Sequence, residues 1–212
     1  RGLFGDLEDP WPASMKRLAD FAIAGCGMIL LSPVIGLLSL LVGVFLGSPV
    51  LFRQIRPGLG GEPFELVKFR TMTDRCDQNG NLLPDAERLT RYGSFLRSTS
   101  LDELPELWNV LRGDMSLVGP RPLLVEYLPR YSSWQIRRHE VLPGVTGLAQ
   151  VKGRNSLSWE EKFDLDVWYV DNRSARLDIT VLWWTIGSVF KRRGVVAPNS
   201  ATMPPFEGTA RE

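Results

Sequence analysis

The sequence predicts an α+β protein, mostly helical with short strands. Its N-terminal segment reads as a re-entrant membrane helix hairpin, and its polar remainder carries interfacial amphipathic helices. Three observations predict this. Phe21 to Leu46 is a run of 26 residues without a charge. Ser32-Pro33 interrupts that run, and basic residues flank it on both sides. Beyond residue 48, short β-like runs give way to helical patterns that end in the tryptophan-bearing stretch Leu177 to Phe190.

Composition sets the bounds. A chain of 212 residues can bury a core without disulfide staples. Lys plus Arg total 25 against 24 Asp plus Glu, so bulk charge excludes a general nucleic-acid binder. An apolar share of 44% excludes a multi-span membrane protein. Cys26 lies in the apolar run and Cys76 in a polar stretch, which argues against a disulfide framework. With His139 as the one histidine, the usual His/Cys zinc site cannot be built. No nucleophile-elbow serine accompanies it for a Ser-His-Asp triad. Seven Trp and ten Phe point to an interface with lipid, sugar or base.

Residues 1–14 have two prolines and no period, and read as an irregular arm or as residues foreign to the native chain. The membrane segment occupies residues 15–48. A straight transmembrane helix is the simplest reading, since about 20 apolar residues span a bilayer. A signal peptide fits worse, because the run is too long and no small-residue cleavage site follows. Two features favour the hairpin. Pro33 lacks an N–H and its ring clashes with the Ile29 carbonyl, while the Ser32 hydroxyl can bond back one turn. Lys16 and Arg17 precede the run, and Arg53, Arg56, Lys68 and Arg70 follow it. The positive-inside rule places both flanks in the cytoplasm. Arms of roughly 16 Å and roughly 20 Å of helix each reach part-way into a core of about 30 Å.

Residues 49–193 form the polar domain. Val50-Leu51-Phe52 and Phe64 to Phe69 read as strands joined through Pro57-Gly58-Leu59-Gly60-Gly61, a hairpin. Asp74 to Asp85 contains Asn79-Gly80 and reads as a loop. Glu87 to Leu96 and Leu104 to Leu111 read as helices, and Glu126 to Glu140 as a third interrupted by Pro129. Trp159 to Val170 opens with Ser158 and Glu161, a capping box. Leu177 to Phe190 is too short to span; it fits either a helix in the headgroup plane or a core helix. Residues 194–212, a Pro-containing tail, are expected to be loose.

The chemistry concentrates between Arg97 and Pro122, RSTSLDELPELWNVLRGDMSLVGPRP. Ser100 to Glu103 has the spacing of a capping box, with acids at a helix start. Pro105 disagrees with that register, because it would fall where an N–H is wanted. If Pro105 instead opens the helix, Asp102 and Glu103 lie outside it and are free for other work. An ionised Asp beside Mg²⁺ can attack phosphorus or hold the metal. Arg97, Arg112 and Arg121 surround the pair in sequence, and two prolines fix the backbone around Arg121, as bidentate phosphate binding requires. Pro143 to Asn155 carries three glycines within ten residues, suiting close backbone approach to a ligand or a turn-rich connector. Asp164-Leu-Asp166 mimics a metal motif, but on a helix its acids point apart, so it reads as solvated surface.

Taken together, these motifs resemble the bacterial sugar transferase family, specifically the small monotopic phosphoglycosyl transferases. The resemblance covers Met15 to Arg193. It rests on the apolar segment with Ser32-Pro33, QIRPG from Gln54, VKFRTM from Val67, the Arg97–Pro122 segment and PGVTGLAQVKGRN from Pro143. It implies that a sugar-1-phosphate passes from a UDP-sugar to undecaprenyl phosphate with release of UMP, as the first membrane step of a bacterial glycoconjugate pathway. It implies Asp102 as nucleophile, through a phosphoglycosyl-aspartate, with Glu103 beside it; both are candidate ligands of a Mg²⁺ cofactor. Arg97, Arg121 and Arg154, with Lys68 and Arg70 as weaker candidates, would bind substrate phosphate. Residues 49–193 would be the catalytic domain on the cytoplasmic face of the inner membrane. Its partners would be the two substrates and the bilayer, with a second copy or downstream glycosyltransferases as further candidates, and no nucleic acid. Two other classes compete: a single-span protein with a cytoplasmic binding module, and a hydrolase using Asp102 and Glu103 as an acid pair. Adjacent carboxylates suit a glycosidase poorly, since its two acids flank the bond about 5–9 Å apart.

Overall fold

The computed structural model describes residues 12–153, 156–191 and 204–208. Its first element, α1, is a single helix from Ala13 to Leu46, 34 residues with Pro33 inside. The helix continues through Ser32-Pro33 rather than ending in two separate arms. The Ser32 hydroxyl donates to the Ile29 carbonyl at 2.8 Å, the carbonyl that faces the proline ring. α1 is long and apolar enough to cross a membrane, and only 11% of its most apolar stretch is buried.

Both ends of α1 are tied to the same domain. Near its start Lys16 pairs with Asp178. Asp20 accepts from the Ser116 hydroxyl at 2.7 Å and the Leu117 N–H at 3.1 Å. Arg17 donates to the Met115 carbonyl. At its far end, Arg70 donates to the Leu46 carbonyl. The basic residues on either flank therefore serve partly as docking groups. Ala24 of the N-terminal half joins the main core, while Leu38 and Val42 pack with Phe69 and Leu96.

The expected hairpin forms. β1, Leu51–Pro57, pairs antiparallel with β2, Pro63–Phe69, in a register from Leu51↔Phe69 to Pro57↔Pro63. The helix expected over 87–96 divides into α2, Asp85–Arg88, and α3, Arg91–Thr99. The division falls where Thr90 caps α3 by accepting from the Gly93 N–H at 2.9 Å. Gly93 is required: a Cβ there would lie 1.8 Å from the Thr71 carbonyl oxygen, so α3 rests directly on the strand end. A 3₁₀ turn, Leu101–Glu103, leads into α4, Glu106–Arg112. β3, Ser116–Val118, and β4, Gly144–Thr146, form a parallel pair. Between them the expected helix over 126–140 is two 3₁₀ turns, Val125–Arg130 and Gln135–Glu140, consistent with Pro129 denying an α-helical N–H.

α5 is Leu148–Lys152, α6 is Trp159–Asn172 and α7 is Ala175–Lys191. The α6 capping box is present in full. Ser158 Oγ accepts from the Glu161 N–H, and the Glu161 carboxylate accepts from the Ser158 N–H at 2.8 Å. α7 is two-faced: Leu177 and Val181 are buried, while Ile179, Trp183 and Ile186 are exposed. The buried side bears out the core-helix expectation; the other side presents apolar residues to the surface.

Two expectations are corrected. The tail is docked where it is described: Phe206 is 2% exposed among Tyr127 and Phe163, and Arg130 donates to its carbonyl. An aromatic side chain fitting an aromatic cleft outweighs the Pro-rich composition. Asp166 is not solvated: it is 4% exposed and takes two bonds from Arg138, at 2.7 and 3.1 Å, while Asp164 remains exposed. The arm proposed for 1–14 lies outside the described residues except for Pro12 and the first two residues of α1.

Candidate active site

The start of α4 decides how the Arg97–Pro122 segment is used. Ser100 takes a left-handed conformation, φ 56 and ψ 20, that terminates α3, and its side chain makes no cap bond. The capping-box reading of Ser100–Glu103 is therefore excluded. Pro105 sits at the start of α4 instead, leaving Asp102 and Glu103 in the turn before it. Asn109 pins this arrangement to the sheet. Fully buried, it accepts from the Val67 N–H at 3.1 Å and donates to the Glu65 carbonyl at 2.7 Å. Glu106, one turn earlier on the same helix face, is thereby set against β2.

The cluster assembles from five elements. Lys68 comes from β2, Arg97 from α3, Asp102 and Glu103 from the turn, Glu106 from α4, and Arg121 from the segment after β3. Arg121 donates to Glu103 at 2.6 Å. Arg97 Nε donates to Thr71 Oγ1 at 3.0 Å. Asp102 is 5% exposed and makes no ion pair within 4 Å among the described residues. Burial, then the Glu103 charge, pushes its carboxyl above the ordinary range, while Lys68, Arg121 and Arg97 pull it back. Burial, then Glu103, pushes Glu106 up to about 8, so it holds a proton at neutral pH. Lys68 is lowered by burial and by Arg121, against the three acids. Glu103 raises Arg121. Burial lowers Arg97, and it lowers Arg56, together with Arg121, to about 10. Lys68, Arg97, Arg121 and Arg56 thus gather around Asp102 and Glu103, a concentration of basic side chains that suits a diphosphate.

A second layer holds Arg121. Arg138 donates to the Arg121 carbonyl at 2.7 Å while its guanidinium is held by Asp166. Close backbone packing supports the same segment. A Cβ on Gly144 would lie 2.1 Å from the Gly119 nitrogen, and one on Gly147 would lie 2.2 Å from the Gly119 carbonyl oxygen. These glycines admit the chain's own backbone, so the ligand-approach reading of 144 and 147 gives way to the connector reading. His139 contacts the Gly58 carbonyl at 3.1 Å, and burial lowers it to about 4, so it is neutral at physiological pH.

Of the residues read from sequence, Asp102, Glu103, Lys68, Arg97 and Arg121 converge. Arg70 does not: it is committed to the Leu46 carbonyl and to Asp74 at 2.9 Å. Arg154 lies outside the described residues. Sequence reading missed Glu106, Arg56 and Arg138. Glu106 had a signal, since with Pro105 opening the helix it is the first-turn acid nearest the pair; Arg138 had none, because its partners are 17 and 28 residues away.

The chain matches the bacterial sugar transferase family over residues 11–192. It is 53% identical to an uncharacterised sugar transferase, EpsL, of Bacillus subtilis, across 92% of this chain and 96% of that protein. It is 41% identical to a UDP-galactose-lipid carrier transferase of Erwinia amylovora, across 85% of this chain and 41% of that protein. A UDP-glucose:undecaprenyl-phosphate glucose-1-phosphate transferase of Klebsiella pneumoniae is 39% identical, across 81% of this chain and 39% of that protein. The chain thus spans about two fifths of the length of the last two. With a family match that covers the apolar helix, the acid pair and α7 alike, the chain belongs to the bacterial sugar transferase family.

Proposed function

We propose that the protein transfers a sugar-1-phosphate from a UDP-sugar to undecaprenyl phosphate at a bacterial membrane, releasing UMP, with Asp102 as nucleophile. The carrying observation is Asp102 itself: a buried carboxylate in the 3₁₀ turn before α4, without an ion-pair partner among the described residues, facing Lys68, Arg97 and Arg121. The relatives' names support the two substrates. Their donors differ, UDP-galactose and UDP-glucose, so the sugar is a matter for assay.

An Asp102 oxygen attacks the phosphorus that bears the sugar. The bond from that phosphorus to the bridging oxygen breaks, and UMP leaves with the electron pair. An oxygen of the polyprenyl phosphate then attacks the same phosphorus and returns Asp102 to its carboxylate. Two bulky anionic substrates visit one site in turn. Arg121, oriented by Glu103 and by Arg138 behind it, meets the phosphoryl oxygens with a fork. Arg97 and Lys68 supply further positive charge. Glu106 enters protonated and adds no repulsion to an incoming diphosphate.

Mg²⁺ fits this donor set. No group of three His, Cys, Asp or Glu side chains able to hold a metal occurs among the described residues. Mg²⁺ commonly takes one or two carboxylates and completes its shell with water and substrate phosphates. Asp102 and Glu103 would hold it, and it would neutralise the diphosphate charge.

The ties at Lys16, Asp20 and Leu46 support a re-entrant topology, with both ends of α1 on the cytoplasmic face alongside the catalytic domain. Cysteine labelling at positions 16 and 53, in a background lacking Cys26 and Cys76, gives same-side labelling on this reading and opposite-side labelling for a span. The reaction is tested by assaying UMP release from a panel of UDP-sugars with undecaprenyl phosphate. Multiple-turnover UMP release with undecaprenyl phosphate and one donor supports the transfer reaction; no release with any donor removes it and favours a binding module.

A further inference from the structure

The segment Pro204 to Gly208 is docked by one side chain. Within it only Phe206 is buried, while Pro204, Pro205 and Glu207 are exposed. Two bonds to its backbone place the ring: Trp159 Nε1 donates to the Pro204 carbonyl at 3.2 Å, and Arg130 donates to the Phe206 carbonyl. The ring stacks on Tyr131, with centroids 5.8 Å apart and planes 27° apart, and meets Phe163 edge-on at 5.0 Å.

Those two rings also flank the Arg138 guanidinium, which lies 5.8 Å from the Tyr131 centroid and 5.6 Å from that of Phe163. Arg138 is 2% exposed. Its Nε and Nη2 donate to Asp166, Nη2 donates also to the Arg121 carbonyl at 2.7 Å, and Nη1 donates to the Tyr131 hydroxyl at 3.3 Å. The last is the longest of these bonds, so it depends most on where the Tyr131 ring stands. Arg121 in turn donates to Glu103 at 2.6 Å. Contact therefore runs without a gap from Phe206 to Tyr131, to Arg138, to the Arg121 carbonyl, and through the Arg121 guanidinium to Glu103. Asp166 supplies the counter-charge of Arg138 and needs no ring for that. The rings add direction, because they fix the plane of the guanidinium between them.

We propose that Phe206 is a positioning residue for the donor: by bracing Tyr131 and Phe163 it holds Arg138 against the Arg121 carbonyl, and so aims the Arg121 fork at the diphosphate. The proposal rests on the transfer reaction above and extends its phosphate site to residue 206. Truncating the ring leaves a cavity against both Tyr131 and Phe163. The rings relax into it, the Tyr131 hydroxyl withdraws from Arg138, and the Arg121 carbonyl loses its fixed partner. Arg121 keeps its charge but no longer meets two phosphoryl oxygens at once. Asp102 stands outside this path, so attack on phosphorus is spared once the donor is bound.

The test uses the full chain in phosphatidylcholine nanodiscs. Phe206→Ala should raise the KM for UDP-sugar roughly fivefold or more, with kcat per folded enzyme near the wild-type value, the mark of lost uniform binding. In an Arg121→Lys background, where the fork is already gone, the same substitution should raise KM less than about twofold. Val181→Ala, a truncation in the separate core cluster of α7, should lower the unfolding midpoint and leave KM unchanged. If Phe206→Ala does not fold, Phe206→Leu keeps most of the bulk without the flat ring and carries the same test, with a rise of about threefold. An unchanged KM with a lowered midpoint makes Phe206 a packing residue only. An equal rise in the wild-type and Arg121→Lys backgrounds separates it from Arg121. An equal rise in Val181→Ala assigns the effect to general loosening. Each of these overturns the proposal. Wild-type protein that releases no UMP with any donor removes the reaction and the positioning role with it; wild-type turnover with an unchanged KM in the Phe206 variants removes the role alone.

Discussion

Two clusters of charge meet at Arg121, whose carbonyl serves one and whose guanidinium serves the other, and they are built on opposite principles. Arg138 and Asp166 form a closed pair. Both are almost fully buried, two guanidinium nitrogens meet one carboxylate, and the remaining donors go to the Arg121 carbonyl and the Tyr131 hydroxyl. The cluster around Asp102 is open. Among the described residues a short ion pair, Arg121–Glu103, stands beside Lys68, Arg97, Asp102 and Glu106, which influence one another without pairing within 4 Å. A closed buried pair satisfies itself and holds shape. An open one leaves the desolvation cost of Asp102 without an ion pair to offset it, which accords with the proposed binding of an anionic substrate.

The sharpest way to break this comparison is to neutralise one carboxylate in each cluster. Asp102→Asn should fold normally and lose turnover by on the order of 10³-fold or more, because an amide cannot form the acyl phosphate. Asp166→Asn should do the reverse. Leaving Arg138 buried without its counter-ion should cost about 3–5 kcal/mol of stability, with near-normal turnover in the folded fraction. Thermal unfolding and UMP release measured on both variants separate the two roles. Equal effects on stability would mean that the clusters do not differ in kind.

A smaller effect tests the fork on Arg121. Arg121→Lys keeps the charge but offers a point donor, and should cost about 1.5–3 kcal/mol of transition-state binding, roughly 10–100-fold in kcat/KM for UDP-sugar. Wild-type turnover at low UDP-sugar would remove Arg121 from phosphate binding.

The smallest effect concerns pH. Glu106 holds its proton to about pH 8 in the folded protein, against 4.5 for an unperturbed glutamate. Between those values the folded state binds more protons, so this contribution to stability is full below 4.5 and is lost as pH rises through about 8. Glu106→Gln is neutral throughout. It should remove up to about 1.4 kcal/mol per pH unit of that decline, seen as a flatter dependence of unfolding midpoint on pH. An unchanged slope would mean that Glu106 is ionised in the folded state.

What the sequence disclosed depended on range. The β1–β2 hairpin and the Ser158–Glu161 capping box are local patterns, and both form as read. Pro105 carried the most information per residue, since its missing N–H selects the register that frees Asp102 and Glu103. Asp166 was misread because its spacing from Asp164 says nothing about an arginine 28 residues away. Gly144 and Gly147 were legible as close-approach positions, but what approaches, the backbone of Gly119, is a tertiary fact. Phe206 was hidden for the same reason: its cleft is made by side chains from two distant elements. Glu106 stood in plain view, but burial makes it unusual, and burial belongs to the fold.

The central claim is that Asp102 becomes covalently attached to phosphorus. The direct measurement is to incubate the protein with a UDP-sugar labelled in the sugar, without polyprenyl phosphate, then quench and map the label. The account predicts one label per active enzyme on Asp102, with one equivalent of UMP released and no label on Asp102→Asn. UMP release that strictly requires polyprenyl phosphate, with no adduct on the protein, would contradict it and leave Asp102 as a metal ligand in a ternary complex.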